Sequence, residues 1–360
     1  MVSSYIYDDE EEDEIARGHA HFPTFLSENI GLLFGRNTMT LQRYLLKRLI
    51  MLPIIVVITI VINFMIINFA PGDPAVLLAA PEAPPEHLER LREIMGLNRP
   101  LHERLIIYMS RMLSLNLGHS YTAGKPVFDL IVERLPATLI LMLTAFVIST
   151  VLGIVIGVLS SRKPFSKTDN FLMISSLVIY STPQFWTGLI LILIFGLSLK
   201  LLPIGGMVTS GATMSTIGYI VDVLRHLILP ATVLALYQVV LYIRLTRASM
   251  LEVLRKDYIV TARGKGCTQN QVYFGHALRN ALLSVVTMIG LRMRFLFMGS
   301  LIVETVFAWP GIGRLTFDAI GERDYAIVMG VFFFISILVV LSTLIIDIIY
   351  AFLDPRIRYE

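Results

Sequence analysis

Five stretches of this chain run without a charged residue for about the width of a bilayer: residues 49–72, 135–161, 170–199, 226–243 and 326–346. A helix needs about 20 such residues to cross, so the 226–243 run draws on its flanks. A sixth stretch, 280–303, is apolar except for Arg292 and Arg294. Backbone in lipid must satisfy its own hydrogen bonds, and a helix does so within one segment. The expectation is an all-α integral membrane protein with six transmembrane helices. Composition agrees, with 55% hydrophobic and 16% charged residues. A soluble domain carries about a quarter charged, so an ordinary cytosolic enzyme is excluded.

Lys and Arg collect on the cytoplasmic side and so set orientation. Arg43, Lys47 and Arg48 precede the first run, and Arg162, Lys163 and Lys167 separate the second from the third. Residues 244–279 hold seven basic residues, and Arg356 and Arg358 follow the last run. Both termini are therefore expected inside, with 73–134, 200–225 and 304–325 outside. Snorkelling of these side chains at helix ends would leave that orientation unchanged.

Residues 1–40 are a different material. Residues 8–14 are seven consecutive acids, and eight acids against two arginines give residues 1–40 a charge of −6, leaving +9 on the rest of a +3 chain. Such a run stays solvated, which predicts a disordered cytoplasmic extension. A tether to a basic partner surface is the functional alternative. The segment lacks the basic start of a secretory signal. Residues 22–34 have the apolarity of a short interfacial helix. One cysteine, Cys267, leaves no disulfide framework or Cys metal site within the chain.

The polar segment 257–280, DYIVTARGKGCTQNQVYFGHALRN, lies between two apolar runs. Asp257 at its start and Arg263 and Lys265 further on suit a helix dipole over 257–265. Gly266 follows where a helix end takes positive φ. This segment resembles the cytoplasmic coupling loop of ATP-binding-cassette importer permeases, written EAA, three residues, Gly, nine residues, I-x-L-P. Val260, Thr261 and Ala262 stand at EAA, Gly266 at the glycine, and His276, Leu278 and Arg279 at I-x-L-P. The wording DY-x-x-TAR-x-KG with HALRNALL is similar to the peptide/nickel branch in its first-subunit form. Further blocks stand in family order: APGDP at 70–74, MGLNRPLHERLIIYM at 95–109, LNLGHSYTAGKPVFDLIVERLPATL at 115–139 and STPQFWTGL at 181–189. VETVFAWPGIGRL at 303–315, RDY at 323–325 and LDPRIRY at 353–359 complete the series. The resemblance runs from about residue 41 to the C-terminus.

That resemblance implies a type I importer fold: a first transmembrane helix at 41–72, an external helical scoop at 73–134, and a permease core at 135–360. A coupling loop falls near 253–280, between the fourth and fifth spans. It also implies partners: a second homologous permease subunit, two ATP-binding-cassette ATPase subunits and an extracytoplasmic substrate-binding protein. The setting would be the plasma or inner membrane of a prokaryote. Asp257, Tyr258, Thr261, Ala262, Arg263, Lys265 and Gly266 would then couple to the ATPase, which holds ATP and magnesium. The chain itself has no phosphate loop, because Gly264-Lys265-Gly266 lacks the preceding spacing and the following Ser or Thr. It has no H-E-x-x-H, and its histidines are scattered. No cofactor, metal or nucleic acid is therefore expected.

Candidates for the transport pathway are fewer. Within the scoop, Leu88, Leu91 and Met95, then Leu105, Tyr108, Met109 and Met112, keep helical spacing on either side of 96–100. Two short amphipathic helices are predicted. The resemblance sets them near the docked binding protein; a plain structural lid is the alternative. Pro183 interrupts the third run and predicts a kink whose freed carbonyl a hydroxyl or water satisfies. Gln184 beside it either packs or faces the pathway. Arg292 would lie about 18 Å along the fifth helix from Asn280, near the bilayer centre. Two residues correspond to about 200° of rotation, so Arg292 and Arg294 cannot share a face. Intramembrane charge is functional by default. The ligand is either a peptide carboxylate or another anion, or else the charge pairs with the second permease. Asn63, Asn68 and Asp347 read as packing groups. Glu304 and Arg314 flank Trp309-Pro310-Gly311-Ile312-Gly313, a tight turn or re-entrant element that the resemblance puts near the pathway.

The reading is a transmembrane permease subunit of an ATP-driven, binding-protein-dependent importer, most simply of di- and oligopeptides. Permease motifs report the motor and not the cargo, so nickel, glutathione or oligosaccharides are the first alternative. A secondary carrier or membrane receptor without an ATPase is the second. A carrier would show paired repeats with discontinuous helices and no coupling segment.

Overall fold

The computed structural model describes residues 41–69, 84–94, 96–211 and 213–353. Residues 51–347 form one compact unit; the other, residues 1–50 with 348–360, is described only at helical residues 41–50 and 348–353. The expectations for residues 1–40, for 70–74 and for the tail beyond 353 lie outside the described residues, as does the side chain of Asp347.

Apart from one isolated bridge between His119 and Pro126, every regular element among the described residues is helical. The first element among the described residues is α1 (Leu41–Phe69). Two amphipathic helices follow as expected, α2 (Pro85–Ile94) and α3 (Leu101–Leu113), parted by a turn at 96–100. Next come α4 (Val127–Arg162), α5 (Lys167–Ser181), and α6 (Gln184–Leu191) with a π-helical extension, Ile192–Ser198. The longest is α7 (Thr216–Val253), and after it stands the short α8 (Asp257–Gly264). A π-helical stretch, Gln271–Ala277, runs into α9 (Leu278–Met293), and α10 (Leu301–Val306), α11 (Ile312–Gly321) and α12 (Tyr325–Leu353) complete the described chain.

Four helical runs among the described residues are long and apolar enough to cross a bilayer alone: α4, α7, Gln271–Met293 and Tyr325–Ile346. The third apolar run behaves differently from the single kinked span expected. Thr182 and Pro183 both leave the helical region, at φ −84, ψ 133 and φ −61, ψ 135, so α5 and α6 are bent by 101°. Proline pushes its predecessor to extended backbone, and here nothing restores the helix. Pro136 and Pro230, by contrast, sit inside α4 and α7 without ending them. The α5–α6 pair is either a broken span or a re-entrant loop, and α1 holds a shorter apolar stretch, Ile50–Ile66.

The fifth run is also displaced. Helix begins at Gln271 and stops at Met293 instead of running from 280 to 303. Arg292 therefore sits in the last turn, and Arg294 caps the helix instead of lying mid-span. Cations there complement the negative end of the helix dipole.

The most extensive helix pair is α4 with α7. A Cβ on Gly153 would lie 2.2 Å from Tyr242 Cβ, and one on Gly157 2.6 Å from Thr246 Cβ. These glycines, four apart, let two backbones approach where lipid offers no hydrophobic force between helices and packing must supply the attraction. On its other face α4 exposes Leu143, Val147, Val151, Val155 and Leu159, one per turn. A second cluster joins Ile60 of α1, Ile131 of α4, Ile312 of α11 and Ile327, Val331 and Phe333 of α12.

Candidate functional site

At the end of α7 the chain turns through Lys256, extended at φ −76, ψ 149, into α8. Asp257 lies in the first turn and Arg263 in the last, each matched to the dipole. The helix closes when Lys265 N–H donates to Thr261 O at 3.0 Å, Gly266 N–H to Arg263 O at 3.0 Å and Cys267 N–H to Ala262 O at 3.3 Å. Gly266 takes φ +80, and a Cβ there would meet nothing within 4 Å. Backbone conformation alone therefore demands the glycine.

The two faces of α8 differ sharply. Ile259 and Ala262 are buried among Val158, Met250, Val253, Val272 and Tyr273. Tyr258 and Val260 are 40% and 62% exposed, on the surface with Asp257, Thr261, Arg263 and Lys265. Ala262, expected among the coupling residues, is buried on the inner face of α8.

The seat of this rod is tied to the spanning helices. Tyr273 hydroxyl donates to Ser161 O and Arg162 O at 3.4 and 3.3 Å. Arg162 donates to Asn270 Oδ1 at 2.9 Å, and its guanidinium lies 5.2 Å from the Phe274 ring centroid. Nearby in sequence to that α4 terminus, Asp169 of α5 is buried and accepts from Arg247 Nε and Nη2 of α7 at 2.8 and 2.6 Å. It also accepts from Phe165 N–H at 2.7 Å and from the Ser160 hydroxyl of α4. One carboxylate thereby holds three helices. Neither Asp169 nor Arg247 stands out by sequence. Ser166 does mark a helix start, its hydroxyl accepting from Asp169 N–H at 3.3 Å. The arginine 78 residues away gives no local signal.

A second polar centre forms around Glu304, which is fully buried on α10. Oε1 accepts from the Thr138 hydroxyl and from Ser300 N–H, both at 3.2 Å, and Oε2 from Arg314 N–H at 3.1 Å. A Cβ on Gly311 would sit 2.3 Å from Oε2, so glycine in the Trp-Pro-Gly-Ile-Gly turn makes room for the carboxyl. Trp309 is buried and donates its indole N–H to Ala137 O at 2.9 Å. Burial pushes the Glu304 carboxyl above its usual range, opposed by its hydrogen bonds from Ser300, Arg314, Gly313 and Thr138. Gly206 N–H donates to Phe307 O at 2.8 Å, which ties the 199–207 loop to α10.

The remaining pathway candidates are separate. Gln184 opens α6 half-buried, and its side chain makes no hydrogen bond to a described residue. At the adjacent break, Tyr237 hydroxyl donates to Thr182 O and shares a 3.1 Å hydrogen bond with Thr187, the satisfaction that a proline break requires. Arg292 is exposed. Among the described residues no hydrogen bond or ion pair joins Gln184, Glu304 and Arg292.

Fold and site together define a multi-pass helical membrane protein that presents a braced, half-apolar rod outside its spans. Residues 151–359 match the family described as binding-protein-dependent transport system inner membrane component, and residues 41–142 match the N-terminal family of such membrane components. The chain is 42% identical over 291 residues to an oligopeptide transport system permease protein of Bacillus subtilis, covering 81% of this chain and 91% of that one. It is 39% identical over 306 residues to a di/tripeptide transport system permease protein of Pseudomonas aeruginosa, at 81% and 91% coverage. A dipeptide transport system permease protein of Escherichia coli is 36% identical over 312 residues, at 81% and 92%. The chain belongs to the binding-protein-dependent transport system inner membrane components, and is a multi-pass protein of the cytoplasmic membrane.

Proposed function

We propose that this chain is the transmembrane permease subunit of an ATP-driven importer that receives di- to oligopeptides from an extracytoplasmic binding protein. The observation that carries the machine is α8: an exposed face of Tyr258, Val260, Thr261, Arg263 and Lys265 over a buried Ile259–Ala262 keel. The peptide cargo rests on relatives named for oligopeptides, di/tripeptides and dipeptides along four-fifths of the chain. In this reading α1 and the α5–α6 pair each serve as one span, giving six, with both termini and α8 inside. A second, homologous permease completes the pathway. Two ATPase subunits bind ATP and magnesium, so no catalytic residue or cofactor belongs to this chain.

The geometry suggests how force travels. Closure of the ATPases moves α8, which is stiff because its keel is packed and its end is tied by Gly266. The Tyr273–Arg162 contacts pass that motion to α4, and the Asp169–Arg247–Ser160 cluster makes α4, α5 and α7 move together. Gln184, Arg292, Arg294 and Glu304 remain the pathway candidates, with Glu304 bracing the turn beside it.

The test is the complex reconstituted with its binding protein and offered di- to oligopeptides, nickel, glutathione and oligosaccharides. Peptide-stimulated ATP hydrolysis and uptake are expected. Stimulation by another cargo alone overturns the peptide assignment, and a permease that transports with no ATPase bound overturns the machine.

A further inference from the structure

A cavity of about 620 Å³ lies between the C-terminal end of α1, helices α2 and α3, the 116–122 loop and the connection from α11 to α12. That size falls within the range of small-molecule sites. Four arginines line it: Arg99 before α3, Arg104 and Arg111 on α3, and Arg323. None makes a side-chain hydrogen bond or ion pair with a described residue. Glu93 and Glu322 also line it and are likewise unpaired among the described residues. The third acid, Asp324, is spent on structure. It accepts from the Ser120 hydroxyl at 2.7 Å, from Tyr121 and Thr122 N–H at 3.0 and 3.3 Å, and from Ile327 N–H at 3.2 Å.

Two features of the wall point to a ligand. Arg323 adopts φ +57 just past the end of α11, where Asp324 N–H donates to Ala319 O at 2.8 Å. This is the left-handed position that glycine ordinarily fills, and a side chain there costs about 1–2 kcal/mol. That conformation, over a loop fixed by Asp324, keeps an arginine on the cavity wall. Tyr108 also lines the cavity, and its buried hydroxyl has no hydrogen-bond partner among the described residues.

We infer that this cavity binds a short peptide, its carboxylate held by the guanidiniums of Arg99, Arg104, Arg111 and Arg323 and its amino group by Glu93 or Glu322. Planar guanidiniums grip a carboxylate through paired N–H donors, and free charges of both signs suit a zwitterion better than a simple anion. The inference rests on the proposed function in taking the zwitterion to be a peptide. It adds a station on this chain where α2 and α3 meet the ends of α1 and α12.

The assembled complex in nanodiscs, without its external binding protein, is titrated with trialanine, C-amidated trialanine, N-acetyl-trialanine and inorganic phosphate. Trialanine is expected to bind saturably, and amidation or acetylation to weaken it by about tenfold or more. Arg104→Gln and Arg323→Gly are each expected to weaken it similarly. Arg323→Gly removes backbone strain along with the charge, so its thermal midpoint should not fall and misfolding cannot explain lost binding. Unchanged trialanine affinity in both variants, no saturable binding, or phosphate binding as tightly as trialanine would each overturn the inference. Peptide-driven ATP hydrolysis by wild type with its binding protein, alongside any of those results, leaves the importer reading standing. Hydrolysis driven only by another cargo, with no trialanine bound, removes this inference and the peptide assignment together.

Discussion

Gly266 and Arg323 take the same left-handed backbone after α8 and α11 for opposite reasons: one has no side chain to strain, the other keeps one at a cost. Gly266→Ala should cost about 1 kcal/mol through φ alone, because the space beside it is open. Gly266→Pro loses both that φ and the hydrogen bond to Arg263 O. The Pro variant is expected to insert normally, and its complex with the ATPase subunits to hydrolyse ATP without uptake in proteoliposomes; normal uptake would refute the coupling role. Glu304 yields a pH prediction. Burial raises its folded pKa, so its contribution to stability is whole below the ordinary value of 4.5 and is lost as pH rises through the raised value. The thermal midpoint of wild type relative to Glu304→Gln should therefore decline as pH increases over that window. A constant difference across pH would contradict it. Glu304→Ala, which strands Ser300 and Arg314 N–H, should cost more than Gln, by about 1–3 kcal/mol.

At the level of elements, α8 was legible because every cue is local: an acid at the start, cations near the end, glycine after it. Its orientation was not, since the packing of Ile259 and Ala262 depends on Tyr273 and Met250 from flanking helices. Ile259→Ala should remove about 2–4 kcal/mol of packing. Amide hydrogen exchange over 257–266 is expected to quicken while α4 and α7 stay protected; unchanged exchange would show that the keel does not hold the rod. The polar cluster beneath α5 was invisible for a related reason. Asp169 is 78 residues from Arg247, just as Thr138 is 166 from Glu304, and no period or motif links residues that distant. Arg247→Ala leaves a buried carboxylate without its cation, a loss of about 3–5 kcal/mol, seen as a lower thermal midpoint of the purified complex.

At the scale of the whole molecule, the exposed apolar stripe on α4 is that of a chain solvated by lipid or by another membrane subunit. Gentle detergent extraction is expected to bring down a homologous permease and ATPase subunits, and the purified chain alone should not hydrolyse ATP. The sequence by itself determined which segments are apolar enough for membrane helices and that the polar segment after α7 forms a short helix closed by glycine. Those are local costs, of burying a charge or bending a backbone, written in adjacent residues. Only the tertiary structure decided that Pro183 turns α5 from α6 through 101° while Pro136 and Pro230 leave their helices running. It alone stops the fifth run at Met293, buries Glu304 under Gly311, and gathers arginines 99, 104, 111 and 323 around one cavity. Each of these depends on which distant surfaces fit together, and close packing is a property of pairs of elements that no single stretch of chain encodes.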